Sequence, residues 1–118
     1  MSVTRGEAGA RAEALAATFL TTRGLTIVER NFRCRRGEID LIARDGETLV
    51  FVEVRLRTRR DFGGAAASIT AAKRARIAAA ALFYLGRLPR TPPCRFDAVL
   101  LDAIDADRIE WLQDMMSV

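Results

Sequence analysis

The stretch Gly37–Arg57, GEIDLIARDGETLVFVEVRLR, holds two apolar runs joined by an Asp-Gly turn, and three acids stand inside the runs. A strand buried on both faces reads as continuous Val, Ile and Leu, and a carboxylate within it loses its hydration unless a partner or a metal compensates it. Glu38, Asp40 and Glu53 break that rule together. The pattern restricts this part of the chain to a hairpin with one apolar and one acidic face, and it points to a divalent-cation site facing something anionic.

Asp-Gly between apolar runs is the strongest short-range hairpin signal. With Asp45-Gly46 as a two-residue loop, Arg44 pairs with Glu47, Asp40 with Phe51 and Glu38 with Glu53. Asp40, Glu38, Glu53 and Arg55 then share a face, with Asp40 and Glu53 diagonal neighbours about 7 to 8 Å apart at the backbone. A four-residue loop opposes the two acids directly, and a three-residue loop without a bulge sends them to opposite faces. Ile39, Leu41, Ala43, Val50, Val52 and Val54 line the other face, an apolar set ready to receive a helix.

Half of the 118 residues are hydrophobic, enough for one domain spanning 1–118 with its own core. No apolar run approaches the roughly 18 residues of a membrane span, and the first residues lack the apolar centre of a signal peptide. The expectation is a cytoplasmic protein that does not engage membranes. Cys34 and Cys94 fall in no metal-ligand spacing and read as buried or incidental thiols.

The absence of histidine excludes the most. No Ser-His or Cys-His nucleophile, histidine-ligated zinc or imidazole acid–base pair can be built. Chemistry falls to carboxylates, Lys, Tyr, Cys or a metal. A net charge of +4 and a pI near 10.0 favour polyanionic partners, though alone they speak to non-specific attraction. Eighteen of the nineteen basic residues are arginine, so Lys73 alone supplies a compact ammonium of tunable pKa.

Ala8, Ala12, Leu15, Ala16, Phe19 and Leu20 recur at helical spacing over about Gly6 to Thr22, with Glu13 on the border of the stripe and Gly24 as the stop. Leu25 to Asn31 reads as a short strand, followed by strands at about Glu38 to Arg44 and Thr48 to Arg57. Arg57 to Gly64 reads as a basic, glycine-ended loop suited to a phosphate backbone or simply to solvent. A second helix begins near Ser68 or Thr70 and ends at Leu85, with Ile69, Ile77, Ala80, Ala81, Tyr84 and Leu85 inward. Lys73 sits on the Ile69–Ile77 row, its ammonium directed either to solvent or to the acidic cluster. Strands follow at about Arg95 to Leu101 and Ile109 to Leu112.

These residues resemble the YraN-like family of uncharacterised bacterial proteins, which is similar to restriction-endonuclease-like and Holliday-junction-resolvase-like domains. The likeness covers about Gly9 to Asp97. It rests on Ala12-Glu13, Arg30-Asn31-Phe32-Arg33, Gly37 to Ala43, Phe51-Val52-Glu53-Val54-Arg55, Phe62-Gly63, Lys73 and Arg95-Phe96-Asp97. The resemblance implies an α/β fold with a central mixed sheet flanked by helices. It also implies a phosphodiesterase site in which Asp40 and Glu53 ligate Mg²⁺ or Mn²⁺ and Glu13 adds a carboxylate. The implied partner is nucleic acid, most simply structured or branched DNA, contacted by Arg33, Arg35, Arg36, Arg57, Arg59 and Arg60. A homodimer would suit symmetric cutting of two strands.

The chain departs from that pattern at Arg55, where the superfamily has lysine. Arginine stays protonated, so it can clamp a phosphate but cannot act as a base. Either Lys73 supplies the missing ammonium, or the protein binds nucleic acid without cutting it. A plainer reading of the same acids is an ion-pair network with Arg55 at a sheet edge.

Overall fold

The computed structural model describes residues 5–57, 69–102 and 108–115. The elements are α1 (Arg5–Thr22), β1 (Thr26–Cys34), β2 (Gly37–Asp45), β3 (Thr48–Arg57), α2 (Ala71–Leu85), β4 (Cys94–Asp102) and β5 (Ile109–Leu112). The strands form one five-stranded sheet in the order β1-β2-β3-β4-β5. Neighbours run antiparallel except β3 and β4, which are parallel because the chain between them crosses over through α2. The architecture is α/β, a mixed sheet with one helix on each face.

Alternation along the strands feeds both layers. Leu41, Ala43, Val50, Val52, Val99 and Leu101 pack against Ala12, Ala16, Ala17 and Leu20 of α1. Ile42, Phe51 and Phe96 point the other way, onto Ile77, Ala80, Ala81 and Tyr84 of α2. Each large apolar side chain removed from water here contributes roughly 1.5–3 kcal/mol. Three alanines in the α1 contact let that helix lie close to the sheet. Leu15, expected inward, is 37% exposed, and Ala17 takes its place.

The β2–β3 turn differs from the expected one. Asp45 pairs with Thr48 and Arg44 with Leu49, leaving Gly46-Glu47 as the loop, with Gly46 at φ 61°. A positive φ at the first central position fits a type II′ turn, whereas an Asp45-Gly46 loop would place the glycine second. The pairing moves by two residues, so the faces survive the change. Continuing the ladder one step past Leu41↔Val52 brings Asp40 directly opposite Glu53, not diagonal to it.

Ile39 also departs from expectation. It packs with Phe32 and Ile42 in the α2 layer, not with Leu41 in the α1 layer. The β1–β2 ladder skips Asn31 and Asp40, and Asn31 has φ 53°. Alternation is broken there, which turns Ile39 over and leaves Asp40 at a joint in the strand.

Among the described residues, no helix is long and apolar enough to cross a membrane.

Candidate functional site

Asp40 occupies the point where β2 stops pairing regularly with β3. The Val54 N–H, which a continued ladder would give to the β2 main chain, donates instead to Asp40 Oδ2 at 2.8 Å. The carboxylate therefore ends the ladder and holds the two strands at the edge of a cleft. Its pKa is pushed from 3.8 up to about 8, first by burial and then by the charge of Glu53. The Val54 N–H pulls it back only in part, while a hydrogen bond with Glu53 and the charge of Glu13 push the same way as burial.

Glu53 is buried, at 7% exposure, on a strand paired on both sides. Lys73 answers it: Nζ lies 2.8 Å from Glu53 Oε1. Thr70 makes that reach possible, because its side chain accepts from the Lys73 N–H at 3.2 Å and fixes where α2 begins. Lys73 thus stands in the first turn of α2 with its stem along the helix's inner edge. Of the two directions open to its ammonium, it takes the one toward the acids.

Asp40, Glu53 and Lys73 line an open cleft of about 620 Å³, together with Glu13 from α1 and Arg55 from β3. Glu13 is held at the rim by its neighbour Ala12, which is buried in the α1 contact. Among the described residues, no three acids or thiols are close enough to form a ready-made cation cage. The close unit is the Asp40–Glu53 pair, with Glu13 reaching the same cleft from α1. Glu38 also borders the cleft but is exposed and pairs with Arg33, Nε to Oε2 at 3.3 Å.

Arg76 lines the cleft as well and was not singled out from sequence. Its signal was available, since it stands one turn after Lys73 on the same helix. The β1–β2 turn docks beside it. A Cβ added at Gly37 would meet the Arg76 carbonyl oxygen at 2.1 Å, so only glycine fits. That contact carries Arg35 and Arg36, both exposed, to the flank of α2. Arg57 ends β3, its side chain lying outside the described residues, as do Arg59, Arg60 and the Phe62-Gly63 pair.

A second buried acid lies apart from this cleft. Asp97 accepts from Arg95 Nε at 3.1 and 3.2 Å, from Trp111 Nε1 at 3.0 Å and from the Asp114 N–H at 2.9 Å. Arg95 also bonds Asp45 at 3.0 Å, tying β4 to the end of β2.

The chain shares its residues with a group of bacterial relatives. It is 55% identical to a UPF0102 protein of Methylobacillus flagellatus over 92% of this chain and 96% of that one. To the UPF0102 protein of Nitrosospira multiformis it is 54% identical, over 93% and 92%. To that of Cupriavidus taiwanensis it is 59% identical, over 89% and 79%. Residues 12–101 match the model of the uncharacterised protein family UPF0102, a span that includes Glu13, Asp40, Glu53 and Lys73. The chain therefore belongs to family UPF0102, the YraN-like family that its motifs resemble.

Proposed function

We propose that this protein binds nucleic acid and hydrolyses phosphodiester bonds in structured or branched DNA, using Mg²⁺ or Mn²⁺ on a restriction-endonuclease-like core. The supporting observation is the Asp40–Glu53 pair, two adjacent carboxylates in an open cleft with an ammonium group 2.8 Å from one of them. Such a pair is costly to keep without a cation, and a hard divalent ion that prefers oxygen and retains several waters needs few protein ligands. Asp40 and Glu53 would hold it, with Glu13 a further carboxylate in the cleft. When bound, the ion supplies a water of lowered pKa and offsets charge on the phosphate.

The chain's own groups do the rest. Arg55, always protonated, clamps a phosphate oxygen. Lys73 brings its ammonium to the acids from α2, in place of the lysine that the superfamily carries on the strand. Arg33, Arg35, Arg36, Arg57, Arg59 and Arg60 provide salt-dependent attraction to the backbone. The direct test is cleavage of duplex, flap, four-way and single-stranded substrates with Mg²⁺, Mn²⁺ or chelator. Metal-dependent cutting that disappears in Asp40→Asn and Glu53→Gln is the expected result; chelator-resistant cutting, or full activity in both variants, would sink the proposal.

Arg55 in the place of lysine favours a second reading, a non-catalytic nucleic-acid-binding or assembly module with a degenerate site. The two readings part on metal titration. A working site gains thermal stability with Mg²⁺ or Mn²⁺ by mass action, and a relic does not respond.

A further inference from the structure

Lys73, Arg74 and Arg76 lie in the first half of α2, and no acid occurs anywhere on that helix. The asymmetry extends beyond it: from Phe62 to Phe96 the sequence has six cations and no Asp or Glu, whereas the rest of the chain mixes both signs. On this basic surface two large apolar side chains are left in water, Leu82 at 59% and Phe83 at 56% exposure. Single exposed apolar residues are ordinary. Phe83 differs in its setting.

Arg76 and Phe83 are seven residues apart, so they share one stripe of α2, about 10 Å from each other along the axis. Arg76 borders the cleft, and the stripe therefore runs from the cleft to the exposed ring. Phe83 is braced from one side by the buried Phe32, with ring centroids 6.2 Å apart at 34°. Just past the helix, Arg87 places its guanidinium 5.6 Å from the Phe32 ring centroid and 5.8 Å from that of Tyr84. An exposed ring braced by a buried one, with an arginine two turns before it on the same stripe and another on the neighbouring rings, is an arrangement suited to unpaired bases, because every base has a π-face and every nucleotide a phosphate.

We infer that Phe83 is a stacking platform for an unpaired base of a strand whose phosphates run along Arg76 and Arg87. The inference rests on the nucleic-acid reading of the cleft and narrows the substrate class to one with a single-stranded segment beside the phosphate that enters it. A continuous duplex keeps its bases stacked on each other and cannot use the ring.

The test is fluorescence anisotropy in an Asp40→Asn background with Mg²⁺, comparing a labelled thymidine homopolymer with a blunt duplex over a salt series. Phe83→Leu keeps an apolar contact to Phe32 and removes the π-face. It is expected to weaken single-strand binding about tenfold while leaving duplex affinity and the salt slope unchanged. Phe83→Trp is expected to retain affinity, with its indole emission quenched on saturation. Arg76→Ala and Arg87→Ala should make the salt slope shallower for the single strand. Unchanged single-strand affinity in Phe83→Leu, or equal weakening for both probes, overturns the inference and leaves the nucleic-acid reading standing. Failure of the Phe83-intact protein to bind either probe overturns both.

Discussion

Asp97 on β4 and Glu53 on β3 stand one rung apart in the parallel ladder and are about equally hidden, at 3% and 7% exposure. Asp97 is answered from three sides, by Arg95, Trp111 and the Asp114 main chain. Its charge is met by these donors, and the result is mechanical: β5 and Asp114 are pinned to the sheet. Glu53 has one lysine for a partner and an acid neighbour, Asp40, whose proton is held far above the usual carboxylate range by burial and by Glu53 itself. Burial alone therefore does not mark a functional acid. The setting separates the two: Asp97 closes a hydrogen-bond network, whereas Glu53 shares an open cleft with a second carboxylate of strongly raised pKa.

The sharpest way to break this contrast is Asp97→Ala. It leaves Arg95 with Asp45 as its remaining carboxylate and strands the Trp111 Nε1–H and Asp114 N–H donors, and should cost about 3–5 kcal/mol, read from urea midpoints. A loss below about 1 kcal/mol would place Asp97 in the same class as the cleft acids. Next comes Lys73→Met. It strands the buried Glu53, but Lys73 is itself 36% exposed, so the cost is expected to be about 1–2 kcal/mol and to be recovered on adding Mg²⁺. Asp40→Asn should act in the opposite direction, stabilising the metal-free protein by about 1 kcal/mol at pH 8 while abolishing cleavage.

That last difference must depend on pH. Asp40 has a folded pKa of about 8 against an ordinary 3.8, so between these values the folded chain keeps a proton that the unfolded chain has lost. The contribution of Asp40 to stability is therefore most favourable at low pH and declines as pH rises from about 4 to about 8. Urea midpoints of the parent and Asp40→Asn, both in chelator, should diverge steadily across that window. Parallel curves would show that the pair carries no strain.

Much of this was legible in the string because period-two alternation tolerates a misplaced loop. Shifting the turn from Asp45-Gly46 to Gly46-Glu47 moves the register by two, so Leu41, Val50 and Val52 keep their face, and only the Asp40–Glu53 offset changes. Ile39 was misassigned because alternation gives no warning of a joint such as the one at Asn31 and Asp40. Leu15 was misassigned because helical periodicity weighs leucine above alanine, whereas the α1–sheet contact selects small residues. Lys73 could be placed on a row but not given a destination, which depends on where Thr70 starts the helix. The Asp97 network was out of reach, since Arg95 and Asp45 meet across 50 positions.

The connectivity has a kinetic corollary. β1, β2 and β3 follow one another through short turns, whereas β4 reaches β3 only after the α2 crossover, with Leu49 meeting Cys94. Nearby pairings close early and distant ones late. On that order the hairpin that sets Asp40 beside Glu53 is expected to form before α2 supplies the Lys73 ammonium, so that docking of the helix is what compensates Glu53.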